Sequence, residues 1–474
     1  MPKDIKTTRA PDYTKHRSDW TTIKDCLDGQ TAIKAKSTDY LPFPVALDDS
    51  IRKGDEFKSQ YSIYLEGGVF VNHTSQAVED LVAGIFKRDP IYAELPTELD
   101  DFDVNTLSRE LTLKTTSFGR SFALVDYPTT DGQPTRDQEN KLNIHAFAVV
   151  YDPTDVLDWE MERIGGTNTL KRVVLHETVV SEDGTTNESQ FRELEMIENV
   201  YTVTMYDKDG QQKGDSVQPM AMGSTLDHIT GTFVGVVSNS EAIDKSPVLG
   251  IAQSNIKHYQ TWAELNHVQT YMGHPTLAIT GAPTGFIKSA KDNNVRIGIG
   301  ASNALVIEGD KATANIIEIN GANIIHFKTL DKLEQSMTDQ GARLRSSNKS
   351  GVESGEALRI RNSGDNSVMA SIATNVETAV EDCVGFASEY MGVTNPDKWS
   401  LDLNKEFIGE TLDSTIVREL SALVSAGQIP VSILHDYLKR VGVLKIDVDS
   451  KDLISQAKEE NPVNVPFDNP TIEE

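Results

Sequence analysis

The chain is short of cysteine, of long apolar runs and, above all, of positive charge. Two cysteines in 474 residues rule out a disulfide framework. Cys26 and Cys383 lie in helix-like segments and are expected to be reduced and buried, as in a cytosolic protein. No run approaches the ~18 apolar residues a membrane-spanning helix needs. The start, MPKDIKTTRAPDYTKHR, has no apolar stretch behind its basic residues, so neither a membrane span nor a secretion signal is expected. Lys and Arg number 45 against 72 Asp and Glu, a net charge of −27. That balance argues against a surface that grips nucleic acid by broad phosphate neutralisation. It does not exclude a protein that lets DNA pass without holding it, because acidic side chains repel phosphates, although most acidic proteins are merely soluble.

Catalytic motifs are missing as well. There is no Walker A loop, since GDKATA at Gly309 lacks the second glycine and the Lys-Ser/Thr ending. IGIGAS at Ile297–Ser302 is glycine-rich but opens no helix pattern, which leaves a turn. No G-x-S-x-G, H-E-x-x-H or C-x-x-C occurs. DKDG at Asp207 begins like a calcium loop and lacks the glycine and glutamate that would complete it. The ten histidines are scattered, and each is expected on the surface or in the core rather than at a metal. The acidic cluster Glu98, Asp100, Asp101, Asp103 is the one candidate for a metal-dependent hydrolase or nuclease, set against a solvated helix start. No cofactor, no resident metal and no enzymatic activity are expected.

What is present is a folded composition, 38% apolar and 25% charged, in a chain long enough for roughly two to four domains. The first quarter reads as helices: Ser18–Leu27, about Asp48–Leu65, Thr74–Phe86, and one from Asn105 toward Gly119. Residues 1–20 are polar and are expected to be a flexible arm. After Gly119 the period becomes two, in SFALVDYP, NIHAFAVVYDP, VLDWEME, LKRVVLHETVV, ENVYTVTMYD and GTFVGVVS, a mostly antiparallel sheet. Ser246-Pro247 opens a helix to Gly273. Short strand-like pieces follow to residue 328: LAITG, GFIKSA, VRIGIG, NALVIEG, ANIIEIN and NIIHFK. Helix resumes over Thr329–Leu344, then a polar loop, RSSNKSGVESGE.

The chain is organised around what comes next. Residues Ser354–Val393 read as one long amphipathic helix or two in line, roughly 55–60 Å of helix, with a bend expected near Gly364. Met369, Ile372, Ala373, Val376, Val380, Val384, Ala387 and Met391 form the packing face. Asn375, Glu377, Glu381, Asp382 and Glu389 are left for water or a partner. A strand near Trp399, two helices (TIVRELSALVSAGQ and PVSILHDYLKRVG) and an acidic tail expected to be disordered complete the chain. Arg343, Arg345 and Lys349 bracket the polar loop. They could touch a phosphate backbone without sequence preference, or satisfy carbonyls at a helix C-terminus.

This succession resembles the portal proteins of tailed bacteriophages, in particular a poorly characterised portal-like branch found in phages and prophages. The likeness is carried by NHTSQAVEDLVAGIFKRDP at Asn72–Pro90, YDPTDVLDWEMERIGGTNTLKRVVLHE at Tyr151–Glu177, SPVLGIAQSNIKHYQTWAEL, EALRIRNSGDNSVMASIATNVETAV and LVSAGQIPVSILHDYLKRVG. It implies an α+β, portal-like fold. A flexible arm (1–20) and a helical then β wing (21–245) precede two stem helices (246–272, 329–345) flanking a small α/β clip (273–328). A tunnel loop (346–355), a long wing helix (356–393), a short helical crown (394–445) and the tail (446–474) follow. It further implies a ring, commonly of twelve subunits, at one capsid vertex, passing double-stranded DNA and docking terminase, head-completion or tail adaptors, capsid and scaffold proteins. Arg343, Arg345, Asn348 and Lys349 would then face DNA, and Lys288, Lys291 and Arg296 would meet partners at the clip. The crown is short and no long C-terminal barrel follows it, so roles belonging to that barrel do not carry over. A monomeric head–tail adaptor is the remaining alternative.

Overall fold

The computed structural model describes residues 4–43, 55–128, 144–181, 184–272, 276–292, 304–309, 311, 313–317, 322–345, 368–393, 399–405, 407, 414–440 and the single positions 443, 453 and 455. The chain divides into two compact units, Met1–Lys405 and Glu406–Glu474. The fold is mixed α/β, with eleven α-helices and several small sheets among the described residues. None of those helices is long and apolar enough to cross a membrane.

The first unit opens with helices α1 (Pro11–Asp28), α2 (Gln30–Ala35), α3 (Asp55–Gly67), α4 (His73–Ile85) and α5 (Val104–Phe118), with the short strand β1 (Ile91–Tyr92) before α5. Strands β2 (Arg120–Asp126), β3 (Phe147–Tyr151), β4 (Val156–Ile164), β5 (Thr167–Val180), β6 (Asn187–Ile197), β7 (Val200–Tyr206), β8 (Met220–Ala221), β9 (Ser224–Thr225) and β10 (Gly231–Gly235) follow. Then come α6 (Leu249–Met272), β11 (Thr276–Ala282), α7 (Phe286–Asp292), β12 (Ala304–Glu308), β13 (Thr313–Ile317), α8 (Ala322–Arg345), α9 (Val368–Met391) and β14 (Leu401–Asp402). The second unit holds α10 (Ser414–Ser425) and α11 (Val431–Arg440).

The core gathers on β2, the middle strand of a sheet ordered β10-β2-β3. Residues Arg120–Val125, all of the strand but its last position, are buried, because α5 and α9 pack against it. Beside it lies the antiparallel meander β4-β5-β6-β7. Charged ties join the two sheets: Arg192 of β6 pairs with Asp126 of β2 and Glu177 of β5, and Tyr151 of β3 donates to Glu177 at 2.6 Å. Within the meander Arg172 reaches Asp158 at 2.7 Å and also Glu193. Burial opposes its charge, but these carboxylates outweigh that and hold the guanidinium above its ordinary value. Arg120 is handled differently, its guanidinium lying 4.3 Å from the Trp159 ring centroid and 3.8 Å from that of Phe233. Burial lowers its pKa to about 9, so it stays charged at neutral pH and cation–π contact supplies part of what water would.

Helix α9 carries the packing face its spacing predicts, except at its last residue, Met391, which is half-buried. Met369, Ile372, Ala373, Val376, Val380, Val384 and Ala387 are all buried, as is Cys383. The helix stops in a Schellman arrangement, with Gly392 N–H on Glu389 C=O and Val393 N–H on Ser388 C=O. One polar position differs from expectation. Glu377, assigned to the outward face, is buried, accepts the Leu403 N–H at 2.7 Å and pairs with Lys405 at 2.8 Å. Glu381 accepts the Leu401 N–H one turn further on. These acids hold the 401–405 segment, whose β14 pairs with β1. The N-terminal part of the predicted long helix, with the bend at Gly364, lies outside the described residues.

Several other expectations change. Residues 4–20 are packed rather than a flexible arm: α1 starts at Pro11, Ile5, Ala10 and Tyr13 are buried, and the Tyr13 hydroxyl donates to Thr154 C=O at 3.0 Å. Strand β6 has no counterpart among the predicted strands. Only Phe191 and Leu194 are buried in it, and its Arg192 and Glu193 serve the charged ties, which erases the apolar alternation. GFIKSA is helical, because the Glu308 carboxylate accepts the N–H groups of Gly285 and Ile287 and so satisfies the start of α7. NIIHFK is also helical, the opening turns of α8. Both cysteines are buried and free of disulfides as expected, with burial pushing the Cys26 thiol up to about 12 and Cys383 higher still.

Candidate functional site

Helices α6 and α8, 24 residues each, enclose the β11–β13 module between them in sequence and pack along one another. They run antiparallel, since partners move down one helix as they move up the other. A Cβ placed on Gly250 would come 2.5 Å from Gln340 Oε1. His258 Nε2 lies 3.1 Å from Glu334 Oε1, and His326 Nε2 lies 3.8 Å from Glu264 Oε2. The module they carry is a three-stranded sheet ordered β12-β11-β13, parallel on the β12 side and antiparallel on the β13 side.

The two helices are unequally buried. Val248 and the α6 residues Leu249, Ile251, Ala252, Tyr259, Ala263 and Leu265 are buried, whereas Leu330 and Met337 are the large apolar side chains buried on α8. Leu333 and Leu344 are half-buried. Spacing of three, four and seven marks a narrow seam of the coiled-coil kind rather than a broad core face. Ile324, Ile325 and Phe327, at the module end of α8, are 55%, 69% and 44% exposed.

A cluster of ionisable side chains forms where α6 and α8 meet the start of α4. His73 is the first residue of α4, which Asn72 caps by accepting the Ser75 N–H at 2.9 Å. From α6, Asn255 accepts the N–H and hydroxyl of Thr74, each at 3.0 Å, and donates to Val71 C=O at 2.8 Å. Asn255 and His258 are three residues apart and share a helix face, so the clamp that fixes the backbone around His73 also sets the His73 ring beside His258. The ring centroids are 5.0 Å apart and nearly perpendicular at 87°. One nitrogen of each imidazole and one Glu334 oxygen lie within 4.8 Å of one another. His258 is fully buried, Glu334 about half-exposed. His73 Nε2 and His258 Nδ1 are buried without a hydrogen-bond partner in the protein. Burial, then the neighbouring His258, lowers the His73 pKa, with Glu334 opposing.

The sequence predicted scattered histidines; the fold collects two of them. Residues 73, 258 and 334 sit on three separate helices, and no local motif joins them, so no sequence spacing could have flagged the cluster. Of the predicted DNA-facing residues, Arg343 is exposed in the last turn of α8, where a cation complements the helix dipole. Arg345 ends the same helix; Asn348 and Lys349 lie outside the described residues. Of the predicted clip contacts, Lys288 is exposed on α7 and Lys291 shares that helix; Arg296 lies outside the described residues.

Residues 247–391 match the family model DUF4055, a domain of unknown function. The match covers less than a third of the chain. It starts two residues before α6 and ends on the last residue of α9, so it encloses the helix pair, its β module and the core helix as one unit. No curated protein matches the chain. The acidic cluster that suggested a hydrolase has a structural role at Asp103, whose carboxylate accepts the Thr106 N–H at 3.0 Å and caps α5. Those hydrogen bonds, the Thr106 hydroxyl's first, hold its pKa below the ordinary 3.8.

Proposed function

We propose that this chain is the subunit of a portal ring of a tailed bacteriophage, a non-enzymatic channel at one capsid vertex for DNA during packaging and ejection. The observation that carries the proposal is the antiparallel pair α6/α8. It bears a small sheet between its helices, buries α8 only along a narrow seam, and is followed in sequence by a polar stretch and then by a helix set deep in the core. An isolated globular domain has little use for a 24-residue helix with most of its faces exposed; in a ring those faces meet neighbouring subunits or the channel. The net charge of −27 suits a lumen through which DNA passes without adhering. The family match, bounded by the same elements, supports reading stem, clip and wing helix as one inherited module.

On this reading α6 and α8 are the stem, the β11–β13 module the clip, and α9 the wing helix. Arg343 and Arg345, flanking the tunnel loop, and Asn348 and Lys349 within it are the residues that would face DNA. Lys288, Lys291 and Arg296 meet terminase during packaging and head–tail adaptors afterwards. Capsid and scaffold proteins contact the outer wing. The subunits assemble in the host cytoplasm, and the ring ends in the virion.

Electron micrographs and light scattering of the purified chain test this. Closed rings are expected; twelve 52.2 kDa chains give a particle of roughly 630 kDa with heterologous contacts. Monomers under all conditions, including coexpression with scaffold protein, would overturn it. Arg345→Ala and Lys349→Ala are expected to alter packaging or DNA retention while leaving rings intact.

A further inference from the structure

We propose that His73, His258 and Glu334 form a binding site for one divalent transition-metal ion of the zinc class, linking the start of α4 to both α6 and α8. Two imidazoles and a carboxylate are a donor set that favours borderline first-row metals over magnesium or calcium, whose sites are built of oxygen. Three protein ligands leave a coordination position for water.

Burial supports a ligand here rather than a simple polar contact. A histidine with no solvent exposure ordinarily satisfies both ring nitrogens. His258 uses Nε2 on Glu334 and leaves Nδ1 without a protein partner, and His73 leaves Nε2 in the same condition. A buried ring nitrogen without a partner costs stability, and one nitrogen of each ring and a Glu334 oxygen lie within 4.8 Å of one another, close enough for one cation to draw the three together. The surroundings are already ordered. Asn255 grips the backbone at Val71 and Thr74 on either side of His73, the kind of support that holds metal ligands in orientation.

Access and fit are both available. Glu334 is 52% exposed, so an ion and its water can enter from that side. Ligand atoms around a tetrahedral zinc stand about 3.3 Å apart, closer than the 4.8 Å limit within which the three now lie. The adjustment falls on Glu334, a flexible side chain on an exposed face of α8, while the two imidazoles stay seated. The ion would fix the helix pair to the α4 layer at a point where its seam is narrow.

The test uses the full chain stripped with a chelator and titrated with Zn2+, and with Co2+ as a spectroscopic probe. One equivalent per chain is expected, with visible ligand-field absorption for Co2+, a saturable rise in melting temperature, and slower amide exchange around residues 73–76 and 255–262. Glu334→Ala changes an exposed side chain and should keep the fold while weakening binding at least ~10-fold. His73→Ala should do the same, and His258→Asn serves as a third variant judged only if its circular dichroism matches the parent. Absence of binding overturns the proposal. So does weak binding of several equivalents that Glu334→Ala and His73→Ala leave unchanged, which would place the metal on exposed histidines elsewhere. The readouts are per chain and do not depend on ring assembly, so they succeed or fail apart from the portal reading.

Discussion

Helices α8 and α9 are equal in length and consecutive among the described elements, yet they are held in opposite ways. Thirteen of the 24 residues of α9 are buried, a wide face pressed on β2, β10 and α5. α8 buries Leu330, Met337 and little else, and its cross-helix partners are polar: His258 on Glu334, Glu264 on His326. A wide apolar face fixes a helix in a core by area alone. A narrow seam with polar handles fixes a direction and a register while leaving the other faces for further contacts. The DUF4055 match spans both helices, so one unit combines an anchor and an arm.

The comparison fails if the two helices respond alike to truncation. Ile372→Ala removes a side chain with no solvent exposure and is expected to cost about 3 kcal/mol, from lost burial plus the cavity left behind. Leu333→Ala, on the half-buried seam, should cost about 1 kcal/mol or less. Urea unfolding midpoints decide it, and equal shifts would show that α8 is as deeply anchored as α9. Asn255→Ala comes next, at about 2 kcal/mol. It removes the acceptor of the Thr74 N–H, on a residue with no solvent exposure, and an unsatisfied group of that kind carries the cost. A neutral result would mean that the polar seam is dispensable and apolar area holds the arm as well.

How far each part can be read from sequence follows the same division. Met369, Ile372, Val376, Val380 and Val384 announce α9 by spacing, and Pro11, Asn72 and Asp103 mark helix starts whose chemistry is local, although only the last two lie close to the predicted boundaries. The seam residues Leu330, Leu333 and Met337 follow the same helical spacing within the predicted helix Thr329–Leu344. Tertiary polar contacts were not. Glu377 looks like any outward acid until β14 arrives beside it, and β6 hides its alternation because Arg192 binds across sheets and Glu193 binds its neighbours within the meander. NIIHFK reads as a strand from Ile324, Ile325 and Phe327, but continuity with α8 makes it helix. The candidate metal ligands depend on three helices meeting, a fact no spacing encodes.

Asp103 sharpens the comparison from the anchored side, since α5 packs directly on α9. Asp103→Ala should cost about 1 kcal/mol, the usual loss of an N-cap, and Asp103→Asn much less, because the amide oxygen can still accept the Thr106 N–H. Its folded pKa lies below the ordinary 3.8. The carboxylate's contribution is therefore complete above that value and is lost as pH falls through the lower folded one. Melting temperature followed from pH 5 to pH 2 should separate Asp103→Ala from the parent most at the upper end.

The smallest effect lies on the arm. His267 of α6 sits against Tyr64 and Phe43, ring centroids at 5.4 and 6.4 Å, and burial lowers its pKa below the ordinary 6.5. The unfolded chain takes up a proton at this residue before the folded chain does. Stability is thus full above pH 6.5 and declines as pH falls from there through the folded value. His73 adds a slope of the same sign, so His267→Phe, measured with chelator present, should reduce the decline between pH 6.5 and 5 rather than abolish it. The carboxylates held low by hydrogen bonds, Asp4 and Asp103 among them, begin to titrate only at lower pH. A decline unchanged in His267→Phe would place the acid sensitivity of the arm in the His73 cluster alone.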